Sequence, residues 1–227
     1  MTTTDSRHDT ADASPHSPER AVSLDATFDA LGNEDCRVLL RHLVESDDAL
    51  GVEDLVDRLA DATGTDEDRL RARLHHSYLP KLADAGLVEY DAERELVADG
   101  EDARFEAMVP TVESFEQADH SISLDSLFGL LADFRRREAL VTLLTHEDIS
   151  LPDLADEVAI AERGEPLTRI DADDVLHVYL SLYHTHVPKL ARAGLVEYDQ
   201  DDDYVALTDA GLALESPIRA LCDPADD

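Results

Sequence analysis

Lysine is nearly missing from this chain of 227 residues: Lys81 and Lys189 are the only two, and the rest of its 19 basic residues are arginine. Cysteine is as scarce. Cys36 and Cys222 are too few for a disulfide framework and fall at unrelated places, which predicts two small hydrophobes in a reducing compartment. Aromatic residues make up only 5%. No stretch approaches the roughly 18 consecutive apolar residues of a membrane span, so no membrane partner is expected. The first twenty residues, MTTTDSRHDTADASPHSPER, hold no apolar segment of the kind a secretory signal needs, and the expected location is the cytoplasm. Motifs that carry chemistry are missing too: there is no Gly-rich phosphate loop, no GxSxG, no HExxH and no CxxC. That predicts a protein that is not an enzyme, with no catalytic residues and no cofactor.

What is abundant is acid. Asp and Glu number 53 and the formal net charge is −34, yet 43% of residues are hydrophobic, enough to fold. An acidic, lysine-poor composition fits a cytosol at molar salt, where the Debye length is about 3 Å and repulsion between carboxylates is screened. The charge is read as an adaptation for solubility rather than as a site for a basic partner.

Residues 75–91 read HHSYLPKLADAGLVEYD and residues 183–199 read YHTHVPKLARAGLVEYD; between Pro80 and Asp91 the copies differ only at Asp84 against Arg192. A match that close means a duplicated unit. Upstream, Ser23–Phe28 matches Ser123–Phe128 at an offset of 100, whereas the quoted segments match at 108. The second copy therefore gains eight residues, placed within the turn-rich AIAERGEPLTRIDADD of 159–174.

Leu24, Phe28 and Leu31 have helical spacing, as do Leu39, Leu43 and Val44, with Asn33 or Glu34 as the start of that second helix. A third helix is predicted over 52–60 and its counterpart over 151–158. A fourth begins after Thr65 and after Asp171, with Leu70, Leu74, Leu79, Leu82 and Ala85 facing inward, matched by Val178, Leu182, Val187, Leu190 and Ala193. Pro80 and Pro188 sit inside it and predict a kink or restart. Gly86 and Gly194 end it as left-handed residues. A hairpin follows in each copy: Leu87–Tyr90 returning over Glu95–Ala98 in the first, its counterpart returning over Tyr204–Thr208 in the second. Helices followed by a hairpin give a mainly α fold with small β-hairpins, two tandem winged helix-turn-helix domains. The expected layout is a disordered tail over 1–20, domains at 21–98 and 121–208, a helical linker at 99–120, and a C-terminal helix with an acidic tail at 209–227. Pro110 and Pro217 interrupt the two flanking helices.

The L-x-x-A-G-L-V run from helix into hairpin resembles the end of the recognition helix and the wing of arsenical-repressor-like regulators. The fuller pattern, an Arg run followed by H-x-H-x-P-K-L-A-x-A-G-x-V-E-Y-D, resembles a haloarchaeal winged-helix family of unknown function found singly or in tandem. The likeness covers about 21–98 and 121–208. Copy two matches more fully; copy one reads HHSYLPKL, and NEDCR at 33–37 where copy two has Asp133 to Arg137.

The quoted stretches are poor in acid. No carboxylate lies between Asp68 and Asp84, nor between Asp174 and Glu197. A helix lying along DNA must clear acids from its approaching face, because carboxylates repel phosphates. Arg69, Arg73 and His76 fall at i, i+4, i+7 on one face, joined by Arg71, Ser77 and Lys81 as candidate contacts. The copy-two candidates are His177, Ser181, His184, Thr185 and Lys189, less charged than copy one's; the tyrosines are further hydrogen-bonding candidates. Arg135, Arg136 and Arg137 form a second basic run, suited to phosphate or to nearby acids. The acidic wing turns, 91–95 and 199–203, oppose DNA. No metal is expected, since His184 and His186 point about 200° apart on a helix. Two functions compete: a transcriptional regulator that binds DNA through helices 66–85 and 172–193, and an adaptor that docks a protein or forms a homodimer through 102–117 and 209–221.

Overall fold

The computed structural model describes residues 18–46, 48–100 and 104–222; of the disordered tail expected over 1–20, residues 1–17 lie outside them, as does the acidic end after Cys222, while 18–20 are helical and open the first helix instead. Copy one is built from α1 (Pro18–Leu31), α2 (Glu34–Val44), β1 (Leu50–Gly51), α3 (Val52–Thr63), α4 (Glu67–Arg73), a π-turn (Leu74–Tyr78), α5 (Leu79–Asp84), β2 (Val88–Asp91) and β3 (Leu96–Asp99). A connecting helix, α6 (Arg104–Gln117), leads to copy two: α7 (Leu124–Leu131), α8 (Phe134–His146), β4 (Asp148–Ser150), α9 (Leu151–Arg163), α10 (Ala172–Ser181), a second π-turn (Leu182–His186), α11 (Val187–Arg192), β5 (Val196–Asp199) and β6 (Tyr204–Leu207). Two short helices, α12 (Asp209–Leu212) and α13 (Glu215–Cys222), close the chain.

The caps follow from local chemistry. The Asn33 side chain accepts from the Cys36 N–H, Asp133 from Arg136 and Ser123 from Ser126, satisfying N–H groups that a helix start leaves free. Asp66, one residue beyond Thr65, caps α4 through the Arg69 N–H, while Asp171 caps α10 as predicted. Gly86 and Gly194 hold φ of 70° and 77°, the left-handed values that turn the helix into the hairpin. Pro217 falls in the first turn of α13, where a missing N–H costs nothing, so the chain restarts there.

Each sheet has three strands rather than the predicted two: the orders are β1-β3-β2 and β4-β6-β5, all antiparallel. The extra strands, of two and three residues, are too short to show an alternating pattern. They pair Leu50 with Val97 and Ile149 with Val205. The additional residues of copy two lie between Gly164 and Val178, where a 3₁₀ turn at Leu167–Arg169 lengthens the loop.

The two copies pack against each other through α1 and α7. Phe28 and Phe128 are fully buried and stack with centroids 5.9 Å apart. Arg37 Nη1 meets Asp125 Oδ1 at 2.6 Å, and Arg137 Nη1 meets Asp25 Oδ1 at 2.6 Å. Arg37 lies over the Phe128 ring and Arg137 over the Phe28 ring, at 5.9 and 5.6 Å. Residue i touching j while j's equivalent touches i's equivalent is the mark of an isologous interface, so the copies are related by an approximate two-fold axis near the phenylalanine pair. On one side, α6 buries Phe105, Met108, Val112 and Phe115, and α13 packs on α6 and α8. No helix among the described residues is long and apolar enough to cross a membrane.

Candidate nucleic-acid interface

In both copies the third helix (α3 or α9), a turn, the long helix broken by a π-turn, and the hairpin stand in the same order. The π-turn has one cause in each: Pro80 and Pro188 have no N–H and crowd the carbonyl four residues back. The wider turn relieves this, and the Leu79 N–H reaches the Leu74 carbonyl, as Val187 reaches Leu182. It also brings the apolar stripe back into phase. Leu70, Leu74, Leu79 and Leu82 are all fully buried although one step in that series is five residues.

The face opposite the stripe is open. In copy one Arg69, Ala72, His76 and Ser77 are exposed; in copy two Leu176, His177, Leu180, His184 and Thr185 are. The cations fare differently. Arg71 is held by Glu53 at 2.7 Å and by Asp68 at 2.8 Å, and these carboxylates push its pKa up. Arg73 turns back to Asp35 and to the Tyr78 hydroxyl. Lys81 pairs with Asp29 at 2.9 Å. Arg69 alone of copy one's four has no ion pair among the described residues. In copy two the counterpart of Asp29 is Gly129, and among the described residues Lys189, exposed, has no ion pair; Arg192 is exposed too, and donates to the Pro188 carbonyl. The expected excess of free positive charge on copy one is therefore corrected: internal pairing removes most of it.

The Arg135–Arg137 run is structural. Arg136 is 4% and Arg137 2% exposed, which closes both to phosphate. Arg136 donates to the carbonyls of Leu130 and Gly129, and Arg137 to that of Leu131, so both satisfy the C-terminal end of α7. Arg37 does the same for Leu31 at the end of α1. Arg135 grips Glu162 with two hydrogen bonds and takes up Ser181 with a third, removing both as ready contacts.

The tyrosines are occupied as well. Tyr78, buried, donates to Asp35 at 2.6 Å; burial and that carboxylate push its pKa up to about 12. Tyr198 and Tyr179 both donate to Asp203, tying the long helix of copy two to its hairpin, and Tyr183 stacks on Tyr179. This cluster was invisible in the sequence because its members lie on three separate elements. Asp203 and its counterpart Glu95 sit at φ of 54° and 53°, with carbonyls accepting from Leu151 and Val52, so the hairpin turn is fixed to the third helix. Burial also pushes the Cys36 thiol up to about 12, which leaves it inert. Among the described residues no group of three or more His, Cys, Asp or Glu is placed to hold a metal.

No curated protein and no solved structure matches the chain. A family model does, twice, over residues 28–98 and 128–206, each span running from the interface phenylalanine to the returning strand of the hairpin. The chain belongs to the family described as Domain of unknown function (DUF7344), in two tandem copies.

Proposed function

We propose that this protein is a DNA-binding transcriptional regulator of a high-salt cytoplasm, made of two winged helix-turn-helix domains. Within each copy, α2, β1, α3, the π-broken helix and the β2–β3 hairpin follow the winged-helix order, and α8 to β6 repeat it; in each, the third strand lies between the other two. The observation that carries the reading is the open face of that broken helix. It holds no carboxylate from Arg69 to Ala83 or from Val175 to Val196, in a chain with 53 acids. Burial does not account for the absence, because the face is exposed in both copies. The proposed contacts are Arg69, His76 and Ser77 from one copy and His177, His184, Thr185, Lys189 and Arg192 from the other. Molar salt weakens the phosphate contribution, so base edges and apolar fit carry more of the binding.

The test is fluorescence anisotropy of genomic duplex fragments in about 1–3 M KCl, the range in which surface charge is screened. Reversal of charge in an Arg69→Glu/Lys189→Glu variant is expected to weaken binding about tenfold or more. Unchanged affinity removes both helices from the mechanism. A second reading, a protein adaptor, draws on Leu176 and Leu180, which are 51% and 40% exposed, and on the acidic wing turns. It gains if no duplex binds.

A further inference from the structure

The reciprocal pairs Arg37–Asp125 and Arg137–Asp25 place the two copies about a two-fold axis, the arrangement by which a homodimer presents two equal readers to an inverted repeat. Here the readers are unequal. At equivalent positions the open faces share His76 with His184, and the hydroxyls of Ser77 and Thr185. Ahead of the π-turn they part at three others: Asp68 stands against Leu176, Arg69 against His177, and Ala72 against Leu180. All three pairs are solvent-exposed on both sides, so core packing does not dictate the differences. The interface residues tell the opposite story, with Asp25, Phe28 and Arg37 repeated as Asp125, Phe128 and Arg137.

We infer that the chain takes a non-palindromic duplex with two chemically different half-sites, the copy-one helix reading a G·C-containing half and the copy-two helix a thymine-rich half. This rests on the DNA-binding reading above. Arg69 offers the bidentate donor pair that suits guanine O6 and N7. Leu176 and Leu180, one turn apart, form an apolar strip of the kind that meets thymine methyl groups, where a hydrogen-bonding base edge would be left unpaired. The shared histidines and hydroxyls position both helices without distinguishing the halves.

The experiment is selection of bound duplexes from a random pool by the full chain in about 1–3 M KCl, repeated with two variants. The first, Leu176→Asp/His177→Arg/Leu180→Ala, writes the open face of α4 onto α10. The second, Arg69→His, alters one exposed residue of copy one and keeps the result readable if the triple variant misfolds. The wild-type chain is expected to enrich a motif with two unlike halves, and to bind an inverted repeat of either half about tenfold more weakly. The triple variant should enrich an inverted repeat of the G·C-containing half, and Arg69→His should change that half alone. An inverted repeat selected by the wild-type chain, or an unaltered motif from both variants, overturns the inference and leaves DNA binding standing. No enrichment at any salt concentration overturns both.

Discussion

Arg37 and Arg137 each serve two purposes with one guanidinium: each satisfies carbonyls at the end of a helix in its own copy and neutralises an aspartate of the other. Arg137 is 2% exposed, so removing it leaves the Leu131 carbonyl without that donor and Asp25 without its cation. Arg137→Ala is expected to cost about 3 kcal/mol in guanidinium unfolding, within the usual range for breaking a buried pair. The loss should persist in high salt, whereas Arg71→Ala, which removes an exposed pair, should cost far less, and less still as salt rises. His186 gives a pH-dependent contribution. It is buried beneath α8, and burial, with Arg136, Arg135 and Lys189 reinforcing it, holds its pKa below the ordinary 6.5; Asp133 opposes this from 3.4 Å. The unfolded chain then binds the proton more readily, so this stabilising share is complete above about pH 6.5 and is lost as pH falls. Chemical denaturation should show stability declining from pH 7 to pH 5 (roughly the window set by an ordinary histidine), with a shallower decline in His186→Gln. Equal slopes would assign the decline to other groups.

At the scale of the element, the π-turns were partly written in the sequence. Leu70, Leu74, Leu79 and Leu82 step by four, five and three, and a five-residue step keeps one face only if a turn is widened. The proline two residues before the last of them is the other half of the signal. If the turn accommodates Pro80, deleting Ser77 forces that proline into a regular helix and should destabilise by about 3 kcal/mol, much of it recovered when Pro80→Ala is added. Absence of recovery would detach the turn from the proline. Gly86 was equally legible: it stands just past the apolar stripe, and Gly86→Ala is expected to cost about 1 kcal/mol in the same assay through its positive φ. The short strands β1 and β4 were not legible, because two or three residues carry no period. Nor were the partners of Arg71, Arg73 and Lys81. Glu53, Asp35 and Asp29 lie on other helices, and spacing along one helix does not show what another brings against it.

The whole molecule combines a net charge of −34 with a repeat interface made of buried cations over phenylalanine rings. Repulsion among surface carboxylates acts on the folded form at low salt, so thermal stability should rise as KCl goes from about 0.1 to 1 M, where the Debye length contracts from about 10 to about 3 Å. A melting temperature that stays flat or falls would count against the high-salt reading. The duplication itself was plain from the sequence. The face by which the copies meet was not, since Arg137 lies in a run that reads equally well as a basic patch. What distinguishes it is depth, a property of the fold rather than of the run.

Because both halves carry the same acid, the same ring and the same base at that face, these three residues do not tell first from second. Through them alone, like could join like as readily as unlike. The segment from Asp99 to Ser123 thus does what the contacts themselves do not: by tethering one of each, it fixes a mixed pair at a ratio of one to one, and spares the cell a population of mismatched twins.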